Sequence, residues 1–195
     1  MYRAMTLKIL RSGIDPQDCA SVEQIAGQTH IQLKQDRGRL KILLDGEDVT
    51  AAIRTQEVTK AVSAVSSLKV IRDVMVREQR RMGMAGGVVL EGRDVGTIVF
   101  PGADLKVFMV ADLDERARRR KQDLRGQGTD VPLETLKLEI SERDRRDSGR
   151  QISPLRKADD AVVLDTTNMT IDEQVEFIVA RARMLLAGKT VEDQH

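Results

Sequence analysis

The sequence is poor in the residues that mark several protein classes. It has one cysteine, no tryptophan, one tyrosine, three phenylalanines and four prolines in 195 residues. A lone Cys19 excludes an intramolecular disulfide and a cysteine-rich zinc site, and suits a reducing compartment. Aromatic residues at 2% leave almost nothing for stacking on the bases of a single strand. Of Tyr2, Phe100, Phe108 and Phe177, two fall inside apolar strand or helix patterns. No apolar run approaches the roughly 20 residues needed to cross a bilayer, and no signal peptide is visible, so a cytoplasmic protein is expected. With 32 basic and 31 acidic residues, the net charge of +1 gives no global attraction to nucleic acid or anionic lipid. Any basic surface must be local.

What is present describes an ordinary globular chain, 41% hydrophobic and 32% charged, of a length suited to one folding unit. The opening MYRAMTLKILRSG reads as a helix that ends at Gly13, with nothing before Met1 to cap it. Residues 30–50 alternate around "DRG" and turn again at Asp45-Gly46, which predicts a small antiparallel unit. Residues 55–82 are helical, with Leu68, Ile71 and Met75 at core spacing, and lead through Gly86-Gly87 into a strand at 88–91. "LKVFMVA" (105–111) and "AVVLDTT" (161–167) are two further apolar strands. An arginine-rich helix follows Asp112, and a last helix opens on a capping box from Thr170 to Glu173. That helix carries Val175, Ile178, Val179, Ala182, Leu185 and Leu186 on one face and is expected to stop at Gly188. Apolar strands alternating with helices predict an α/β fold whose parallel sheet is covered on both faces.

Charge is uneven along this map. Residues 116–150 hold eleven Lys or Arg and seven Asp or Glu, and nine of the eleven are arginines. Arginine offers a planar fork of donors that suits phosphate oxygens. The plain alternative is a solvated helical face laced with ion pairs. A helix beginning near Pro132 puts Leu133, Leu136 and Ile140 on one stripe, and the same steps continue to Arg143 and Asp147 and reach Arg150 beyond Gly149. An inward face that turns from apolar to Arg, Asp, Arg needs an anion beyond the single carboxylate, which points to a phosphate ligand. The stretch "LEGRDVGTIVF" (90–100) poses a similar question, because it puts Arg93 and Asp94 at the carboxyl end of an apolar run, where open α/β sheets bind ligands.

The strings "DGEDVTAAIRTQEV", "EGRDVGTIVFPGADLKVF", "ERARRR", "ISERDRRDSGR" and "DDAVVLDTT" resemble, in order and spacing, the bacterial cytidylate kinases of the nucleoside monophosphate kinase family, essentially end to end. The resemblance implies phosphoryl transfer from ATP to CMP or dCMP with Mg²⁺. It also implies a P-loop-type parallel sheet with helices on both faces, a monophosphate-binding insertion at 26–54 and a lid region at 112–150. A single kinase-like domain that acts as a monomer on small-molecule nucleotides, with no nucleic acid or membrane partner, is expected. By the same resemblance, Arg3 and Arg72 hold the CMP phosphate, while Ser63, Arg93 and Asp94 recognise the cytosine and its surroundings. Arg143 and Arg150 with Asp147 engage sugar and phosphates from the lid side, and Arg119 and Arg120 approach the ATP end. An Asp acceptor beside Arg and Ser donors complements the cytosine edge, and favours an exocyclic amine over a carbonyl. A structural ion pair is the plain alternative for Arg93-Asp94. No protein metal ligand is expected, and Ser148, Cys19 and His30 have no assigned role.

The sequence departs from the family pattern in one respect. It contains no G-x-x-x-x-G-K-[ST] phosphate-binding loop; Gly188-Lys189-Thr190 has Arg183 where the first glycine should be and closes a helix rather than opening one. The expectation is that a segment with the first strands and this loop is missing upstream of Met1. The 195-residue chain alone should then fold poorly and not turn over ATP. A non-catalytic nucleotide-binding protein that keeps the CMP-side arginines is the alternative, and nucleic-acid binding through residues 116–150 is a weaker one.

Overall fold

The structure is a computed structural model that describes residues 1–126 and 128–192, the last four by backbone alone. The chain divides into two compact units, Met1–Val89 and a second that begins at Leu90.

In the first unit, α1 (Tyr2–Ser12) has no side-chain cap at its start and ends on Gly13, whose φ of +67° turns its N–H back to the carbonyl of Leu10. Helix α2 (Cys19–Gln28) starts where the Asp18 carboxylate accepts from the backbone N–H of Ser21, 3.2 Å away. Strands β1 (Ile31–Asp36), β2 (Arg39–Leu44) and β3 (Glu47–Asp48) form an antiparallel sheet in that order. Two-residue turns join them, Arg37-Gly38 with φ of +48° and +76°, and Asp45-Gly46 with φ of +51° and +90°. Left-handed conformations at both central residues match the twist of the strands, which is why glycine takes the second place twice. The register sets Ile31 opposite Leu44, both buried, while Lys34 and Lys41 face each other nearer the tip. A 3-10 turn (Ala52–Arg54) leads to α3 (Gln56–Val65), where the Thr55 hydroxyl accepts from Val58 N–H, and then to α4 (Lys69–Gly83). The continuous helix expected over 55–82 is thus two helices parted at residues 66–68. The core joins Met5, Ile9, Val22, Ile31, Leu44, Val49, Ile53, Val58, Val65, Ile71 and Met75, so that each of these elements except β3 contributes to it.

The second unit runs through a π-helical turn (Val95–Val99), β4 (Val107–Val110), α5 (Leu113–Gly126), α6 (Leu133–Ser148), β5 (Val162–Asp165) and α7 (Ile171–Glu192). Strands β4 and β5 pair in parallel, with Val107 opposite Val162 and Val110 opposite Asp165. The capping box of α7 is formed: Thr170 N–H donates to the Glu173 carboxylate at 2.7 Å, and Glu173 N–H donates to the Thr170 hydroxyl at 3.3 Å. The fold class is therefore mixed α/β, with a parallel strand pair, flanking helices and a small antiparallel sheet.

Three expectations are corrected. Residues 88–91 form no strand, because no strand lies beside them among the described residues; Val89 is 99% exposed. A β-branched run takes strand form only when a neighbour accepts its ladder bonds. The parallel pair is also not covered on both faces, since Met109, Val110 and Val163 are exposed while Leu164 is buried. Helix α7 does not stop at Gly188 but continues to Glu192, a single glycine costing only about 1 kcal/mol against alanine inside a helix. Val175, Val179, Leu185 and Leu186, expected on its inward face, are exposed. Among the described residues no helix is long and apolar enough to cross a membrane.

Candidate functional site

Helix α6 carries out the change of character that its sequence implies. Its inward stripe starts with the buried Leu136, which packs with Ala117 and Leu124 of α5 and with half-buried Val131, Leu133 and Ile140. Three turns later the same face holds Asp147, only 1% exposed. Gly149 follows, where a Cβ would lie 3.0 Å from the Arg145 carbonyl, and then Arg150, whose side chain is nearly buried. The backbone of Leu155 closes this corner by donating to the Asp147 carbonyl at 2.8 Å.

Three guanidinium groups converge on Asp147. Arg93 Nε lies 3.3 Å and Arg143 Nε 3.7 Å from Oδ2, and Arg150 Nη2 donates to Oδ1. One turn back, Asp144 accepts a two-point hydrogen bond from Arg116 of α5, with Nη2 at 3.0 Å from Oδ1, while Arg93 Nη1 stands 4.0 Å from that same oxygen. Four arginines thus share two aspartates, one of them buried, and the cluster carries a net charge of +2. Excess cationic charge around a buried carboxylate is stable when an anion completes it.

Asp94, next to Arg93, is buried. Its carbonyl accepts from the N–H groups of Thr97, Ile98 and Val99, which winds the chain into the π-helical turn. Lys106 underlies that turn: its stem would be 3.4 Å from a Cβ at Gly96, and its ammonium binds Asp160 at 2.7 Å, which holds the Asp160 carboxyl below its ordinary range. Arg119 of α5 pairs with Glu115 at 2.8 Å and donates to Thr166 at the carboxyl end of β5, at 3.2 Å to the hydroxyl. The Thr166 hydroxyl in turn donates to the Val110 carbonyl at the end of β4. Arg120 is half-buried, with no ion-pair partner among the described residues.

The first unit carries Arg3, Ser63 and Arg72 on α1, α3 and α4. Arg72 on α4 is 3% exposed; its Nη1 donates to the Ser66 carbonyl at 3.0 Å and its guanidinium lies 5.4 Å from the ring centre of Tyr2. The Ser66 hydroxyl donates to the carbonyl of Ser63, which is itself buried on α3. Arg3 of α1 donates to the Ile53 carbonyl at 2.9 Å and the Thr59 hydroxyl at 3.0 Å.

Sequence reasoning missed Arg116 and Asp144. The available signal was spacing: Asp144 lies three residues before Asp147 on one helix, so the two carboxylates share a face. Tyr2 beneath Arg72 and Lys106 beneath the turn carried no comparable signal.

Comparison with known proteins identifies the family. The family model described as cytidylate kinase matches residues 1–184. A cytidylate kinase of Lactococcus lactis subsp. lactis (strain IL1403) is 45% identical over 186 residues, covering 95% of this chain and 84% of its own. One of Chloroherpeton thalassium (strain ATCC 35110 / GB-78) is 50% identical over 185 residues, covering 91% and 77%. A bifunctional pantoate ligase/cytidylate kinase of Synechococcus sp. (strain JA-2-3B'a(2-13)) is 48% identical over 189 residues, 95% of this chain but 35% of its own length. The chain therefore spans about a third of that bifunctional relative. Identity near one residue in two along almost the whole chain reaches far beyond any single motif, and it establishes that the chain belongs to the cytidylate kinase family, which are ATP-binding transferases of the kinase class.

Proposed function

We propose that the chain serves phosphoryl transfer from ATP to CMP or dCMP, giving CDP or dCDP. The observation that carries this reading is the cluster of Arg93, Arg143 and Arg150 on the buried Asp147, with Arg116 on Asp144 beside it. Phosphoryl transfer asks little covalent chemistry of a protein; positioning and charge stabilisation do most of the work, and arginine supplies both.

In this reading Arg3 and Arg72 hold the monophosphate, while Ser63, Arg93 and Asp94 select the base. Asp94 can accept from the exocyclic amine of cytosine, where uracil presents a carbonyl. Arg143 and Arg150, oriented by Asp147, take sugar and phosphate oxygens, and Arg119 and Arg120 serve the ATP end. Among the described residues no group of three His, Cys, Asp or Glu side chains could hold a metal ion. Mg²⁺ would arrive with ATP, whose triphosphate oxygens and water commonly supply most of its ligands. The ligand would be a free nucleotide taken up by a monomer in the cytoplasm, without membrane or nucleic-acid partner.

A second reading is favoured by one observation. The 195 residues contain no phosphate-binding loop motif, and Gly188 lies inside α7, so Gly188-Lys189-Thr190 opens no helix; the side chains of Lys189 and Thr190 lie outside the described residues. A kinase without that loop lacks the backbone N–H cradle for the β- and γ-phosphates. In this second reading the chain binds CMP and turns over no ATP, a nucleotide-binding protein in effect. Calorimetric titration with CMP, dCMP and UMP, run beside a coupled assay of ADP release, tests both readings. Both readings expect CMP and dCMP to bind and UMP more weakly; the first expects ADP release and the second none. Robust turnover would sink the second reading, CMP binding without turnover the first, and absence of CMP binding both.

A further inference from the structure

We propose that Asp144 is a positioning residue for Arg93, an inference that rests on the reading above that Arg93 meets bound CMP. The argument starts from the way the guanidinium of Arg93 is held. Its Nε lies 3.3 Å from Oδ2 of Asp147 and its Nη1 4.0 Å from Oδ1 of Asp144. Two carboxylates one turn apart on α6 thus form ion pairs with two nitrogens of one planar group, and the pull of both biases its orientation.

Asp147 alone does not supply this orientation, because the same carboxylate also serves Arg143 and Arg150. Asp144 is the second anchor, and Arg116 makes it a rigid one. The fork of Arg116, from α5, takes both carboxylate oxygens, so Asp144 cannot swing away from Arg93. The pair lies 30 to 35% exposed, so its Coulombic contribution to stability is screened. Its consequence is geometric: an arginine otherwise free to sample many rotamers is set before the ligand arrives, which removes part of the ordering cost of binding.

The competing account is that Asp144 merely ties α5 to α6. A second ion pair across the same two helices, Asp114 with Lys137 at 2.9 Å, does that without touching Arg93, and so provides the control. The experiment uses the full chain in four forms, wild type, Asp144→Asn, Asp144→Glu and Lys137→Gln. The Nε–H signals of the arginines are followed by nitrogen-15 NMR without ligand, and CMP affinity by calorimetry. Asp144→Asn should shift and exchange-broaden the Arg93 signal and weaken CMP binding by about threefold, the scale of one partly exposed ion pair. Asp144→Glu should restore most of both. Lys137→Gln should lower the unfolding midpoint and change neither.

An Arg93 signal in Asp144→Asn that matches wild type overturns the proposal, even when CMP binds. A shifted Arg93 signal together with no CMP binding by wild type leaves the positioning intact and removes the functional reading, so the two failures are distinguishable.

Discussion

The two units of this chain are held by different physics. In the first, fifteen buried apolar side chains among the described residues form one cluster, to which α1, α2, α3, α4 and the hairpin all contribute. In the second, the corresponding cluster is Ala117, Leu124 and Leu136, and specific structure comes instead from arginine–aspartate contacts along α5 and α6. The apolar residues of β4, β5 and α7 in that unit are largely exposed. Apolar burial is non-directional and insensitive to salt, whereas an ion-pair lattice orients its members closely and weakens as ions are added. Apolar packing dominates the first unit and charge pairing the second.

The sharpest way to break this contrast is to make the same kind of deletion on both sides. Ile71→Ala removes a fully buried side chain from the first cluster and should destabilise that unit by about 3 to 4 kcal/mol. Val163→Ala, on a strand residue that is 51% exposed, should change stability by less than about 0.5 kcal/mol. Hydrogen exchange resolved by residue would read each unit separately. Equal losses would mean that the second unit is packed as the first is.

The next effect is smaller in stability and larger in function. Asp147→Asn keeps the volume of a 1%-exposed side chain but removes the charge that three arginines share. We expect a loss of about 2 kcal/mol, below the usual range for breaking a buried pair because Arg93 and Arg143 can turn to water. CMP affinity should fall by tenfold or more. Unchanged affinity in a folded variant would detach the cluster from nucleotide binding.

Below that comes salt. Raising ionic strength from about 0.05 to 0.5 M shortens the screening length to a few ångströms and should lower protection in α5 and α6 more than in α1 or α4. Parallel losses in both units would show that the ion pairs add little to the second.

Much of this was legible in sequence, and the reason differs by element. Turns and caps are local chemistry, so Gly13, the Asp45-Gly46 turn and the Thr170 to Glu173 box could be read directly. The stripe from Leu133 to Asp147 was legible because one helix period runs through it, and that period alone groups Arg143, Asp147 and Arg150. Residues 88–91 misled because apolar, β-branched composition reports a preference for strand, while a strand needs a neighbour, and that is a tertiary fact. The exposed face of α7 misled for the same reason, since amphipathic spacing marks a face without naming what covers it. Arg116 and Asp144 escaped because their relation spans 28 residues and two helices, and no periodicity records it.

The smallest predicted effect tests whether the contrast between units extends to helix starts. Asp18 caps α2 in the first unit and Glu173 closes the box of α7 in the second, and both carboxyls titrate below their ordinary values. For Asp18 the main cause is the hydroxyl of Ser21, then its backbone N–H; for Glu173 it is the backbone N–H of Thr170, then its hydroxyl. A carboxyl with a depressed folded pKa stabilises above its unfolded value and loses that contribution as pH falls through the folded one, so both helix starts should loosen below about pH 4. Glu173→Gln can still accept from Thr170, so its helix start should keep its structure at low pH and lose the pH dependence, while that of α2 is unchanged. Amide exchange at the first turn of each helix, followed between pH 5 and 3, measures this. A variant in which α7 still loosens with acid would place the titrating group elsewhere. If both caps behave as expected, local helix signals are equally strong in the two units, and the difference between them lies in what their faces bury.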